Sequence, residues 1–198
     1  MGLEFEYKKG QTSLDSNEIN GLKISTISTQ DELNEFEQLN IEKAIIWSMN
    51  KKMKPDYILS EYFVRQLHVK MFGDIWTWAG EFRKTDKNIG VHWPLIGTKL
   101  KQLVEDTKFW IDNETFPKEE VAIRFKHRIV SIHCFPNGNG RHSRLMADII
   151  NERIFGNNVF SWCRNDSRDN GKIRAEYIEA LRQADNHDIS SLLKFAKG

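Results

Sequence analysis

This chain is poor in cysteine, has almost no net charge and lacks any long apolar run. Only Cys134 and Cys163 occur among 198 residues. Two cysteines build no disulfide framework, which points to a reducing cytoplasm while leaving a single bridge open. The 29 basic and 28 acidic residues leave a net charge of +1. No global field therefore gathers nucleic acid or a membrane surface, although a local basic patch is allowed. No apolar stretch approaches the roughly 18–20 residues that cross a bilayer. The first residues, MGLEFEYKKGQTSLDSNE, are mixed and charged rather than a signal peptide. There is no internal repeat and no low-complexity tract. With 39% hydrophobic and 11% aromatic residues, the chain can bury one ordinary core.

The pattern predicts one mostly α-helical domain. Residues 1–28 are polar and irregular and read as an N-terminal arm, with the domain running over 29–198. Thr29 and Glu32 have the spacing of a capping box, so a helix is expected to follow to about Met49. Its apolar positions are Leu33, Phe36, Ile41, Ala44, Ile45 and Trp47. Pro55-Asp56 opens a second helix, with Ile58, Tyr62, Phe63, Leu67 and Met71 as its buried stripe and Gly73 as its end. Helical periodicity is lost over 74–98, where a hairpin around Asp86–Asn88 is expected. Helices are expected again from near Thr98, with Phe109 among the apolar positions, and from Pro117. Others follow residue 140, surround Tyr177 and begin near Asp188. Residues 156–171 read as loop.

The densest chemistry is HCFPNGNGRHSR, residues 133–144. It lies between two helical segments. Gly138-Asn139-Gly140 allows unusual backbone angles, so successive N–H groups can turn inward as an anion nest. The next helix begins near Gly140, aiming its free N–H groups at the same place. Arg141 and Arg144 are three apart in its first turn, neighbours on one face, and each offers a planar fork to phosphate oxygens. Together these describe a polyphosphate site. His133 stands at its mouth with an ordinary pKa near 6.5, suited to a general base. Phe135 is the natural inward anchor of the loop. Asn137 offers an oxygen to a Mg²⁺ ion bound by the phosphates.

Other chemistries fit this string less well. A His133–Cys134 dyad has no acidic orienter nearby, and adjacent side chains diverge at a helix end. A zinc site using His127, His133, Cys134 and His142 fails because His127 and His133 lie roughly 240° apart around a helix. An ordinary glycine-rich connection explains the glycines but not the histidine and paired arginines beside them.

The string resembles the signature of the Fic (filamentation induced by cAMP) family, His-x-Phe-x-(Asp/Glu)-Gly-Asn-Gly-Arg-x-x-Arg. It departs only at Asn137, where the family usually has a carboxylate. IWTWAGEFR, 75–83, resembles the segment before the family's target-binding flap, and Tyr177 to Leu181 resembles its last core helices. The subgroup most similar is the small single-domain kind called mobile mystery protein B. The resemblance implies an all-α Fic-like bundle with a small β-hairpin flap. It implies a protein adenylyltransferase that moves AMP from ATP to a hydroxyl of a target protein with Mg²⁺. His133 would be the base. Phe135, Gly138, Asn139, Gly140 and Arg141 would form the phosphate loop, and Arg144 would hold the γ-phosphate. Residues 84–92, with Lys84, Thr85, Asn88, Ile89 and Gly90, would form the flap that pairs with an extended target. Asn137 removes a charge, so the metal should depend more on the phosphates. Transfer of another phosphate-containing group, or a non-catalytic nucleotide-binding or toxin–antitoxin module, stays open.

Many members of the family carry an inhibitory glutamate that pairs with the second arginine of the motif. The helix 29–49 is the candidate here, through Glu37 first and Glu32 or Glu35 otherwise. The other reading of these glutamates is a solvated helix face. The target and a homo-oligomeric state are not legible.

Overall fold

The computed structural model describes residues 12–163 and 170–198. Among these residues the structure is helical and contains no strand ladder. The helices are α1 (Ser16–Ile19), α2 (Gln30–Asn50), α3 (Pro55–Ile58), α4 (Glu61–Phe72), α5 (Ile96–Asp112), α6 (Lys118–Ile132), α7 (Asn139–Ile149), α8 (Asn170–Asp185) and α9 (Ser190–Lys197). A 3₁₀ turn, Trp93–Leu95, leads into α5, and a π-helical turn, Ile150–Ile154, extends α7. Helix α6 is central and packs against α5, α7 and α9. Helix α2 packs on α4, and α8 on α9.

Local chemistry sets the helix starts. Thr29 accepts from the Glu32 N–H, and Glu32 returns to the Thr29 N–H, completing the expected box. The second expected helix is two. Ser60 stops α3, donating to the Tyr57 carbonyl, and starts α4, accepting from the Phe63 N–H. That break turns Tyr62 outward, 64% exposed against an expected burial. Phe36 and Phe109, also expected inside, are 41% and 60% exposed. The inward faces of α2 and α5 are filled by Leu33, Ile41 and Ala44 and by Leu100 and Leu103. Gly73 ends α4 with ordinary right-handed angles. It is required because a Cβ would meet the Val69 carbonyl oxygen at 2.5 Å.

Residues 12–28 are packed onto the domain. Leu14 and Ile27 join the core. The Trp78 indole donates to the Glu18 carbonyl at 2.9 Å. Leu22 and Trp76 form an isolated antiparallel bridge, flanked by the Lys23 N–H to Ile75 carbonyl bond and the Thr77 N–H to Gly21 carbonyl bond. The first 11 residues of the arm, and 164–169 of the expected loop 156–171, lie outside the described residues.

The segment 84–92 forms bends, with no strand pairing. Arg83, fully buried, organises it instead. Its guanidinium donates to the carbonyls of Thr85, Val91 and His133. Two carbonyls of the segment, Thr85 and Val91, and one from the end of α6, His133, converge on one cation here. Asp86 then accepts from the Trp93 N–H and faces His92 Nδ1, which closes the far end.

Candidate active site

The loop 133–144 joins α6 to α7, and its underside is tightly built. Phe135 is completely buried. It stacks on His68 at 3.8 Å between ring centroids and meets His142 edge-on at 5.2 Å. Asn139 places its side-chain oxygen on the Phe135 N–H and its amide on the Phe135 carbonyl, at 2.9 and 2.7 Å. Its side chain is therefore a brace, and only its backbone N–H is left to face a ligand. Gly138 has φ +77° at the N-cap of α7. A Cβ there would lie 2.6 Å from two ring carbons of Phe72, so steric space and backbone both demand glycine. At Gly140 an added Cβ would meet nothing within 4 Å.

His68 carries this assembly from α4. Its Nδ1 accepts from the Gly80 N–H, and its Nε2 lies 3.1 Å from the Asn137 carbonyl, which fixes the proton on Nε2. Burial, then the neighbouring His142, holds it well below the usual histidine range. His142 is likewise kept neutral by burial, its pKa pulled to about 4, and it binds the Val64 carbonyl. Sequence reasoning missed His68 and Arg83 and treated His142 as incidental. No periodicity marks a buried histidine whose partners lie 69 and 12 residues away.

Cys134 is fully buried, and burial pushes its thiol up to about 12, so it is not a nucleophile. His127 sits on Asp185, away from the loop. Among the described residues no three His, Cys, Asp or Glu side chains converge on a metal position.

His133 is the C-cap of α6, in a left-handed conformation at φ 57°. Gly90 packs against it; a Cβ on that glycine would lie 2.7 Å from the His133 Cβ. The ring is buried, and burial, then the Arg83 charge, lowers its pKa to about 4. It is an unprotonated imidazole at neutral pH. Nδ1 lies near the Val130 carbonyl but makes no hydrogen bond of normal geometry. A carbonyl there favours the proton on Nδ1, which leaves the Nε2 lone pair as acceptor. Nε2 faces the Thr12 hydroxyl at 3.1 Å.

The two arginines diverge, although they were expected as neighbours on one face. Arg141 reaches Glu37 on α2 at 2.6 Å and crosses the Phe72 ring. Arg144 leans over the Tyr177 ring of α8, whose hydroxyl receives the buried Lys126 ammonium at 2.6 Å. Glu37 is buried and also accepts from the Trp76 indole at 2.7 Å. The contact it makes is thus with the first arginine of the motif, not the second. Glu32 belongs to the helix cap, and Glu35 is exposed. Asn137 accepts from the Gly138 N–H at 2.6 Å, and its amide faces the Thr12 carbonyl at 3.4 Å. One neutral oxygen already in a hydrogen bond is a poor resident site for a divalent cation.

Lys84, Thr85, Asn88, Ile89 and Gly90 are all exposed, on the bends beside His133. Two surface cavities, of about 460 and 520 Å³, lie elsewhere. The first is lined by Glu119, Asn157 and Lys197 among others, the second by Glu61, Thr98 and Lys101. The mouth of the loop is covered by the arm.

Residues 58–150 match the Fic/DOC family model. It is 28% identical over 120 residues to a protein adenylyltransferase Fic of Nematostella vectensis, covering 59% of this chain and 26% of that protein. The Drosophila melanogaster protein of the same name is 26% identical over 136 residues, covering 67% of this chain and 26% of its own. The chain therefore spans about a quarter of the length of these curated relatives. The fold is shared with the BepC protein of Bartonella tribocorum, solved with AMPPNP. The TM-score is 0.69 at 16% identity, covering 96% of this chain and 93% of that one. It is also shared with Fic-1 from C. elegans, at TM-score 0.68 and 22% identity, covering 90% and 51%.

Proposed function

We propose that this chain is a Fic-type protein adenylyltransferase, transferring AMP from ATP to a hydroxyl side chain of a protein. The observation that carries this reading is the placement of His133. An unprotonated, buried imidazole stands with its Nε2 lone pair beside a glycine-rich helix N-terminus that bears Arg141 and Arg144. The relatives' name and the nucleotide bound to BepC support the same donor.

In this reading His133 Nε2 takes the proton of the incoming hydroxyl as its oxygen attacks the α-phosphorus, and pyrophosphate leaves. The N–H groups at the start of α7 face the phosphates, with Gly138, Asn139 and Gly140 contributing backbone only. Arg144 takes the γ-phosphate and Arg141 the inner phosphates. Arg141 must first leave Glu37, which makes Glu37 the inhibitory residue. Phe135 fixes the loop's height. Asn137 would offer its side-chain oxygen to a phosphate-bound Mg²⁺, which would supply charge neutralisation at the phosphates. Residues 84–92 are the flap, and the target itself supplies the second strand that these bends lack. Two free thiols fit a cytoplasmic setting.

The test uses ATP labelled at the α- or the γ-phosphate, with wild type, His133→Ala and Glu37→Gly. Label from α-ATP alone, lost in His133→Ala and raised several-fold in Glu37→Gly, is expected. Label from γ-ATP would mean a different group is moved. ATP binding without transfer of either label would mean a nucleotide-binding module.

A further inference from the structure

Thr12 approaches the base as a target hydroxyl should. Its Oγ1 lies 3.1 Å from His133 Nε2, and both side chains are buried. The segment that carries it is gripped by the flap bends and the loop. The Asn137 amide faces the Thr12 carbonyl at 3.4 Å, and the Lys87 ammonium donates to the Ser13 carbonyl at 3.3 Å. Lys87 also pairs with Glu18 at 2.5 Å and Asp15 at 3.8 Å, with its own side chain only 6% exposed. Thr85 donates to Asp15 at 3.3 Å. Asp15 and Glu18 cap α1 reciprocally, so the acidic pair is rigid before it meets Lys87. Residues 12–18 are thus bound through the Thr12 and Ser13 carbonyls and the Asp15 and Glu18 carboxylates, with a hydroxyl at the reacting position. Those are the contacts an extended protein substrate needs.

Resting on the adenylyltransferase reading above, we propose that Thr12 is an intramolecular acceptor. The arm occupies the target groove of its own chain, and Thr12 receives the transferred nucleotide. Thr12 Oγ1 forms the new bond to the α-phosphorus and gives its proton to His133 Nε2. The bond from that phosphorus to the β-bridging oxygen breaks, and pyrophosphate leaves with the electron pair. The product is an AMP phosphodiester on Thr12. It is too large to stay in the buried position that the bare hydroxyl fills, so the arm must leave the groove once modified. An external target and the unmodified arm compete for one place.

The experiment incubates the full chain with α-labelled ATP and magnesium, then maps the label by proteolytic fragments and mass spectrometry. Wild type, Thr12→Ser, Thr12→Val and His133→Ala are compared, each also in the Glu37→Gly background so that restraint by Glu37 does not silence the reaction. Label is expected on the fragment holding residue 12 in wild type and Thr12→Ser. It should fall to background in Thr12→Val, which keeps the side-chain shape, and in His133→Ala. The labelled fraction should grow at a rate independent of chain concentration. His133-dependent label that persists undiminished in Thr12→Val would overturn the Thr12 assignment while the adenylyltransferase reading stands. A rate proportional to chain concentration would overturn its intramolecular character. No His133-dependent label on the chain in either background would overturn the Thr12 proposal alone; the adenylyltransferase reading falls only if an added protein extract also takes no His133-dependent label.

Discussion

Phe135 and His133 stand two residues apart in one loop, yet they are held by different kinds of partner. Phe135 belongs to the underside. It packs on His68 and His142 from flanking helices, and Asn139 ties its backbone. None of those partners can leave without opening the core. His133 belongs to the mouth. It faces Thr12 on the arm, as Arg141 faces Glu37. Those partners are single polar contacts, which water or a ligand can replace. Rigidity is thus divided within one loop: its underside is built into the core, and the polar groups at its mouth are held by exchangeable contacts.

Breaking the underside should give the largest effect. Phe135→Ala removes a fully buried ring and should cost about 3–5 kcal/mol, read as a lower urea midpoint. Acid should act on the same layer next. His142 is neutral when folded down to about pH 4, whereas the unfolded chain takes up the proton near 6.5. Between those values the unfolded state binds more protons, so stability falls as pH drops through the window. The loss approaches about 3 kcal/mol for this one group. Urea midpoints at pH 7 and pH 4.5 would show it, with a shallower fall in His142→Gln. Asn139→Ala leaves a buried N–H and carbonyl of Phe135 unpaired and should cost about 1–3 kcal/mol.

The mouth should answer differently. Glu37→Gln should lower stability by only about 1–2 kcal/mol, because Arg141 keeps water access. It should nevertheless raise α-label transfer, whereas an underside change lowers stability and transfer together. Glu35→Ala, on the exposed face of the same helix, should change the urea midpoint by less than about 0.5 kcal/mol equivalent and leave transfer unaltered. A Glu35 variant that matched Glu37 would collapse the distinction between the two glutamates.

Much of the fold was legible because its signals are local. The Thr29–Glu32 box, the helix starting at Pro117 and the short helix after Asp188 need only neighbouring residues. Tyr62, Phe36 and Phe109 were misplaced because apolar character does not say which face of a helix finds a partner. The hairpin expected at 86–88 was misread for a related reason. The turn chemistry is there, but the carbonyls around it converge on Arg83, a residue whose burial no pattern announces.

The loop's local geometry was in the sequence: its glycines, its buried anchor Phe135, the position of His133 at the end of α6 and the start of α7 all follow from twelve contiguous residues. Tertiary structure alone decided what those groups touch. It put His68 under Phe135, set Glu37 on the first arginine and laid Thr12 against His133. Each of these contacts joins residues far apart in the chain, and such pairs meet only when the core closes around them.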